Sequence, residues 1–232
     1  MSNAERFIVA FNKIEQFFEQ ELNDAHYVPF VRAAQQLSQT NTVINRYLND
    51  LLEFSELRNA IIHERTEIQY TIAEPHDQVV EAIEGMVEEI TAPKRVIPTF
   101  QKTLTTLQIG LKLKDVLEVV NKTSYSQFPV YHNKDFVGLL TDKMILHWIA
   151  TQMEQNFSNL FQMPLAEVIS QDNESANYRF INKDTNIYQA EDLFISSMKQ
   201  HERLDALLIT EDGKQNQPLL GMISPNDLIE IP

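Results

Sequence analysis

The chain has 232 residues, 43% of them hydrophobic, which is enough for two small domains with cores of their own. It contains no cysteine, so disulfide bonds, thiolate metal sites and thiol nucleophiles are excluded, and we expect a reducing, cytoplasmic setting. The formal net charge of −14 opposes binding to nucleic acid and to anionic lipid, because both interactions need an excess of Lys and Arg.

Several common sites and segments are missing from the sequence. The apolar run at residues 7–11 is too short to cross a membrane and is not followed by a signal-peptide cleavage pattern. The six histidines show no metal-binding spacing, so we predict no metal site. A phosphate-cradling Gly-rich loop is also missing, which disfavours ATP hydrolysis of the P-loop type.

Residues 1–90 predict an acidic helical bundle. They hold 16 acidic and 6 basic residues, one glycine and two prolines. Apolar residues recur at steps of three and four, as on one face of a helix: Phe7, Phe11, Ile14, Phe18 and Leu22. Three further helices are predicted to begin at Pro29, at Asn41 or Thr42 (continuing to about Phe54), and at Pro75. We therefore predict an all-α domain over residues 1–92.

One polar group in this domain has a spacing that suggests chemistry. Asn59 and His63 are four residues apart and would share a helix face, with Arg58 beside them. The arrangement resembles the Arg-polar-x-x-x-His motif of HEPN domains, which are small helical bundles. Some members of that family are metal-independent ribonucleases with sites formed across a homodimer. The resemblance implies that Arg58 and His63 would act on the scissile phosphate and the ribose 2′-oxygen, with Asn59 in support.

A structural interpretation of the same residues stays open. Asn59 and His63 could satisfy each other or hold a neighbouring helix, and Arg58 could pair with Glu53 or Glu56. The charge of −10 over residues 1–90 argues against an RNA substrate. We therefore assign this group a structural or dimer-interface role, with catalysis as the alternative.

The second half contains an internal repeat. Residues 93–98 are predicted to be a linker, because two prolines interrupt regular structure there. Short β-rich runs then alternate with amphipathic helices, which is typical of α/β architecture. The order strand, helix, strand, turn, strand, helix occurs twice, with Gly138 and Gly221 at matching positions. We place the two copies at residues 99–160 and 161–232.

The end of the second copy carries a nucleotide-binding pattern. Gly221 is followed by two apolar residues, then Ser224, two further residues and Asp227. Ser224 is a good helix N-cap, and Pro225 fits the first helical position. Within the repeat, this pattern resembles the adenosyl-nucleotide signature of CBS domains. Residues 99–232 as a whole resemble a tandem CBS pair, also called a Bateman module.

The resemblance implies two α/β units packed through their sheets, with ligand clefts between them, and a homodimer. The ligands of the family are AMP, ADP, ATP, S-adenosylmethionine or cyclic di-AMP, and no further cofactor is required. In the second cleft it implies Ser224 on the phosphate, Asp227 on the ribose and Arg203 near the phosphate. The adenine would lie near the following residues of the second copy: Phe180, Ile181, Asp205 and Ala206.

The first copy differs at the ribose position. Thr141 could still cap a helix and contact a phosphate, but Met144 stands where the second copy has its acid. A thioether cannot accept hydrogen bonds from two ribose hydroxyls as a carboxylate does. We therefore expect the first cleft to be empty, degenerate or used differently.

Taken together, the sequence predicts an α+β protein of two domains, an all-α bundle followed by a tandem CBS module. We expect a regulatory sensor that binds an adenine nucleotide, acts on an unidentified protein partner and catalyses no reaction. Two alternatives stay open: a HEPN-type ribonuclease regulated by the CBS pair, and a dimerisation scaffold that binds no ligand.

Overall fold

The computed structural model describes residues 1–24, 26–63, 74–152, 157–171 and 177–230. The chain divides into two compact units, Met1–Lys94 and Arg95–Pro232. None of the described helices combines the length and the apolar composition that a membrane span requires.

The described residues of the first unit form helices and no strand. Its helices are α1 (Asn3–Leu22), α2 (Phe30–Leu37), α3 (Thr42–Arg46), α4 (Leu48–His63) and α5 (Asp77–Thr91). A capping box begins α1, in which the Glu5 N–H donates to the Ser2 hydroxyl and the Ser2 N–H donates to the Glu5 carboxylate. As predicted, the apolar stripe of α1 is buried at Phe7, Phe11, Ile14 and Phe18. The all-α class of this half is therefore confirmed.

Two predicted helix boundaries in this unit are wrong. The helix expected to run from residue 42 to residue 54 is broken at Tyr47, whose φ of −97° and ψ of 9° end α3. The Tyr47 hydroxyl donates to Glu89 of α5, and burial together with this bond raises the pKa of Tyr47 to about 12. Pro75 does not begin α5, because the following His76 has an extended backbone (φ −64°, ψ 152°) and the helix starts at Asp77.

The second unit repeats one α/β topology. Its strands form two three-stranded sheets, β1 (Leu107–Gln108), β2 (Gln127–His132) and β3 (Asp135–Thr141), then β4 (Tyr178–Asn182), β5 (Ala206–Thr210) and β6 (Gly221–Ile223). In each sheet the middle strand pairs parallel with the first and antiparallel with the third. The helices are α6 (Val96–Thr99), α7 (Leu113–Thr123), α8 (Asp142–Gln152), α9 (Leu165–Gln171) and α10 (Ile187–Lys199), with 3-10 helices at Phe157–Gln162 and Pro225–Glu230.

Each repeat is completed by a segment that precedes the strands of the other repeat in the chain, so α9 belongs to the first repeat although we placed it in the second copy. Val96 of α6 is fully buried in the core of the second repeat, and its N–H donates to the Thr185 carbonyl at 2.8 Å. Leu165 of α9 is fully buried in the core of the first repeat, and its N–H donates to the Leu111 carbonyl at 2.8 Å. The predicted linker at 93–98 therefore overlaps α6, which packs on the second repeat. Burial of the apolar Val96 side chain favours this packing over an exposed linker.

The two sheets pack against each other through an aromatic cluster. Phe136 of β3 makes edge-to-face contacts with Tyr178 and Phe180 of β4, with ring centroids 5.1 and 5.2 Å apart. Buried Leu139 and Leu208 complete the contact. Burial in this cluster raises the pKa of the Tyr178 hydroxyl. The repeats therefore meet through their sheets, as the resemblance implied.

A glycine allows α6 to dock on the second repeat. A methyl group at Gly221 would lie closer than 3.0 Å to the carbonyl oxygen of Phe100, whereas at Gly138 the nearest atom lies 4.0 Å away. We expect Gly221→Ala to lower the free energy of unfolding by about 1–3 kcal/mol through overpacking, as measured by urea denaturation. Gly138→Ala is the matched control and should be neutral or stabilising by up to about 1 kcal/mol. Equal losses in both variants would contradict this account.

Candidate functional site

The nucleotide-binding pattern forms a closed turn at the end of β6. The backbone N–H and the hydroxyl of Ser224 both donate to Oδ2 of Asp227, at 2.6 and 2.7 Å. The helix that follows is a six-residue 3-10 helix and not the predicted α-helix. Ser224 therefore holds the Asp227 carboxylate in place through its hydroxyl, and does not cap a helix dipole as predicted.

This turn forms one wall of a cleft of about 340 Å³, which we call the Asp227 cleft. A second wall is formed by residues 102–105, which precede β1, together with residues 124–127 of the first repeat. Hydroxyl groups are frequent on this wall, at Thr103, Thr105, Ser124 and Ser126. The volume lies within the range of about 300–1,000 Å³ that small-molecule sites occupy.

Lys102 contributes a positive charge that we did not predict from the sequence. Its Nζ lies 3.7 Å from Oδ1 of Asp227, with 42% and 32% of the two side chains exposed. The two carboxylate oxygens of Asp227 thus have different neighbours, Ser224 on one and Lys102 on the other. A lysine close before the first predicted strand was visible in the sequence, but nothing there indicated that it faces the second repeat.

The structure corrects the predicted grouping of site residues. Arg203 and Asp205 do not line the Asp227 cleft but lie beside Thr141 of the first repeat. Gln127 Nε2 donates to the Asp205 carbonyl at 2.9 Å, so the starts of the two middle strands are neighbours. Each third strand consequently ends beside the middle strand of the other repeat. The prediction was wrong because it assigned all residues of a site to the same repeat, whereas each cleft combines residues of both.

We call the residues around Thr141 the Arg203 cluster: Thr141, Asn177, Arg203 and Asp205. Arg203 donates to the Thr141 hydroxyl at 3.0 Å and to Asp205 Oδ2 at 2.8 Å, and Asn177 donates to the same carboxylate oxygen at 2.8 Å. The Thr141 hydroxyl also accepts a hydrogen bond from the Met144 N–H at 3.2 Å. Thr141 is buried, with only 3% of its surface exposed. The acceptor positions of the hydroxyl that we predicted to contact a phosphate in the first cleft are therefore taken by protein donors.

The residues predicted to surround the adenine have packing roles instead. Phe180 belongs to the aromatic cluster between the sheets, and Ala206 is fully buried in the same contact. Ile181 is buried in the core of the second repeat. In the described part of the chain, none of the three lines the Asp227 cleft.

Arg58, Asn59 and His63, the residues that resemble the HEPN motif, lie on α4. Arg58 Nη1 donates weakly to the Asn59 side chain at 3.4 Å, and its guanidinium carbon lies 5.9 Å from the centre of the Phe11 ring. Its Nε is buried and has no hydrogen-bond partner among the described residues. Arg58 thus packs against α1, while the side chain of His63 lies outside the described residues. Catalysis by these residues stays a prediction.

The described residues also hold no group of three or more metal-ligating side chains.

Residues 96–151 match the family model of the CBS domain. The chain therefore carries a CBS domain at the first repeat, within an α/β unit that repeats the same topology once more. No curated protein shows significant sequence similarity to the chain.

Solved structures with similarity to this chain include three CBS proteins. CBSX2, solved in complex with AMP, is 17% identical over 59% of this chain and 93% of its own, with a TM-score of 0.42. The CBS domain pair of protein MJ0100, in complex with 5′-methylthioadenosine and S-adenosyl-L-methionine, is 14% identical over 60% and 95%, with a TM-score of 0.42. A CBS-domain containing protein from Agrobacterium tumefaciens is 12% identical over 56% and 88%, with a TM-score of 0.41.

The Arg203 cluster should contribute to stability. We expect Arg203→Met to lower the free energy of unfolding by about 1.5–3 kcal/mol, because it removes two hydrogen bonds from a charged donor. Arg179→Met is the matched control, since Arg179 pairs with Glu202 between side chains that are 42% and 52% exposed and should cost less than about 1 kcal/mol. Chemical denaturation of both variants measures the difference, and a loss for Arg203→Met no larger than for Arg179→Met would contradict a structural role.

Proposed function

We propose that this chain is a regulatory protein whose CBS pair binds one adenine nucleotide in the Asp227 cleft. The observation that carries the proposal is a carboxylate held at the mouth of a hydroxyl-lined cleft between two repeats. A carboxylate offers about four lone-pair positions and so can accept hydrogen bonds from two ribose hydroxyls. The Ser224 bonds fix its orientation before a ligand arrives.

The cleft offers separate surroundings for the base and the phosphate. Leu104, Pro129 and Met222 give it an apolar wall suited to a base. Tyr125, with 55% of its surface exposed, also lines the cleft and can stack on a base. The phosphate would lie near the Ser224 hydroxyl and the ammonium group of Lys102.

The residue three positions after the hydroxyl of each repeat supports a stoichiometry of one nucleotide per chain. In the second repeat this residue is Asp227, and in the first repeat it is Met144. Met144 offers no acceptor for ribose hydroxyls there. The two clefts therefore differ in chemistry although the repeats share one fold.

Regulation would follow from the position of the Asp227 cleft between the repeats. A ligand that touches both repeats favours the arrangement in which its contacts with both are made. We propose that the chain forms a homodimer and that the acidic first unit binds a protein partner. A partner with a basic surface would match the charge of −10 over residues 1–90.

Isothermal titration calorimetry tests this proposal. We expect one binding site per chain for at least one compound among AMP, ADP, ATP, S-adenosylmethionine and cyclic di-AMP. Asp227→Ala should weaken binding about 100-fold, because it removes a charged acceptor from the ribose. Asp135→Asn, on the exposed start of β3, is the control and should bind as the wild type does.

Two outcomes would contradict the proposal. If no compound binds the wild-type chain at high micromolar concentration, the chain is not a sensor of these nucleotides. Full binding by Asp227→Ala would place the nucleotide elsewhere.

A further inference from the structure

The charges in the Asp227 cleft are few. Among the described residues that line it, Lys102 is the one cation and Asp227 the one anion, and the other lining groups are hydroxyl, amide or apolar. The two charged groups face each other at 3.7 Å. An ion pair with this exposure contributes little to stability, so it can be exchanged for contacts with a ligand at small cost.

The backbone of Lys102 is held on the second repeat. Its N–H donates to the Leu220 carbonyl at 3.4 Å, and the preceding Gln101 forms a β-bridge with Gly221. The backbone of the lysine is thus held beside β6, the strand that ends just before Ser224. Rotation of its side chain alone can move the ammonium group from the carboxylate to another anion in the cleft.

We propose that Lys102 determines the phosphate content of the ligand and that the cleft selects an adenosine carrying a single phosphate. This inference rests on the nucleotide site proposed above. On binding, the ribose hydroxyls donate to Asp227, and the ammonium group of Lys102 moves to the phosphate, which carries close to two negative charges at neutral pH. One lysine and the nearby hydroxyls can compensate a monophosphate through charge-assisted hydrogen bonds.

The other ligands of the family fit this cleft less well. ATP would bring further phosphate charges to a cleft with a single lining cation, and an uncompensated charge is costly to desolvate. S-adenosylmethionine carries no phosphate for Lys102 to contact, and its sulfonium, ammonium and carboxylate groups sum to a net positive charge. Cyclic di-AMP contains two nucleotides, whereas the volume of about 340 Å³ lies near the lower limit of small-molecule sites.

Calorimetric titrations with adenosine, AMP and ATP, at constant ionic strength and with and without Mg²⁺, test this selection. For the wild type we expect AMP to bind about tenfold more tightly than either adenosine or ATP. Lys102→Gln should weaken AMP binding about tenfold and change adenosine binding less than about threefold, because only the phosphate loses its partner. Lys102→Arg should keep the preference for AMP, since it keeps the charge.

Lys134→Gln is the matched control. Lys134 is exposed after β2 and does not line the Asp227 cleft, so its loss should leave all three affinities unchanged. Wild-type binding of ATP as tight as that of AMP, or unchanged AMP binding by Lys102→Gln, would overturn the inference and leave the nucleotide site in place. Absence of binding by all three compounds to the wild type would remove both proposals. The comparison of adenosine, AMP and ATP with the wild-type chain tests the selection even if a variant fails to fold.

Discussion

Gly221 leaves room for the carbonyl group of Phe100, and this close approach lets residues 95–102 lie on the second repeat, where backbone hydrogen bonds and a β-bridge hold them. The segment brings Val96 into the core of that repeat and Lys102 to the side of β6. In exchange, α9 brings Leu165 and Val168 into the core of the first repeat. Neither core is complete without a segment that lies outside its own strands and helices. The Asp227 cleft is lined by residues of both repeats and by Lys102 of the segment 95–102.

The two repeats show how one fold can carry different chemistry at equivalent positions. At the end of β6, Ser224 and Asp227 present a carboxylate to an open, hydroxyl-lined cleft. At the end of β3, Thr141 is buried beneath Arg203, and Met144 follows where the acid would stand. Most buried polar groups in proteins are hydrogen-bonded, and the buried Thr141 hydroxyl accepts from two protein donors. One of these donors is Arg203, so the residue that corresponds to Ser224 has a structural role in the first repeat.

The local patterns of the sequence predicted much of this fold, since amphipathic periodicity and turn residues act over a few positions. They identified the helical first half, the repeated α/β order and the turn at Ser224 and Asp227. They did not show that Asp227 faces Lys102 or that Arg203 faces Thr141. Those pairs join different repeats, and their contact depends on how two sheets pack. The docking of Val96 on the distant repeat was missed for the same reason.

A crystal structure of the chain with AMP tests the central claim most directly, because it locates the nucleotide against both repeats. We expect AMP in the Asp227 cleft, with the ribose hydroxyls donating to Asp227 and the phosphate beside Lys102. We also expect that Arg203 still donates to Thr141. A nucleotide bound beside Thr141, with Asp227 still paired only with Ser224 and Lys102, would contradict the account.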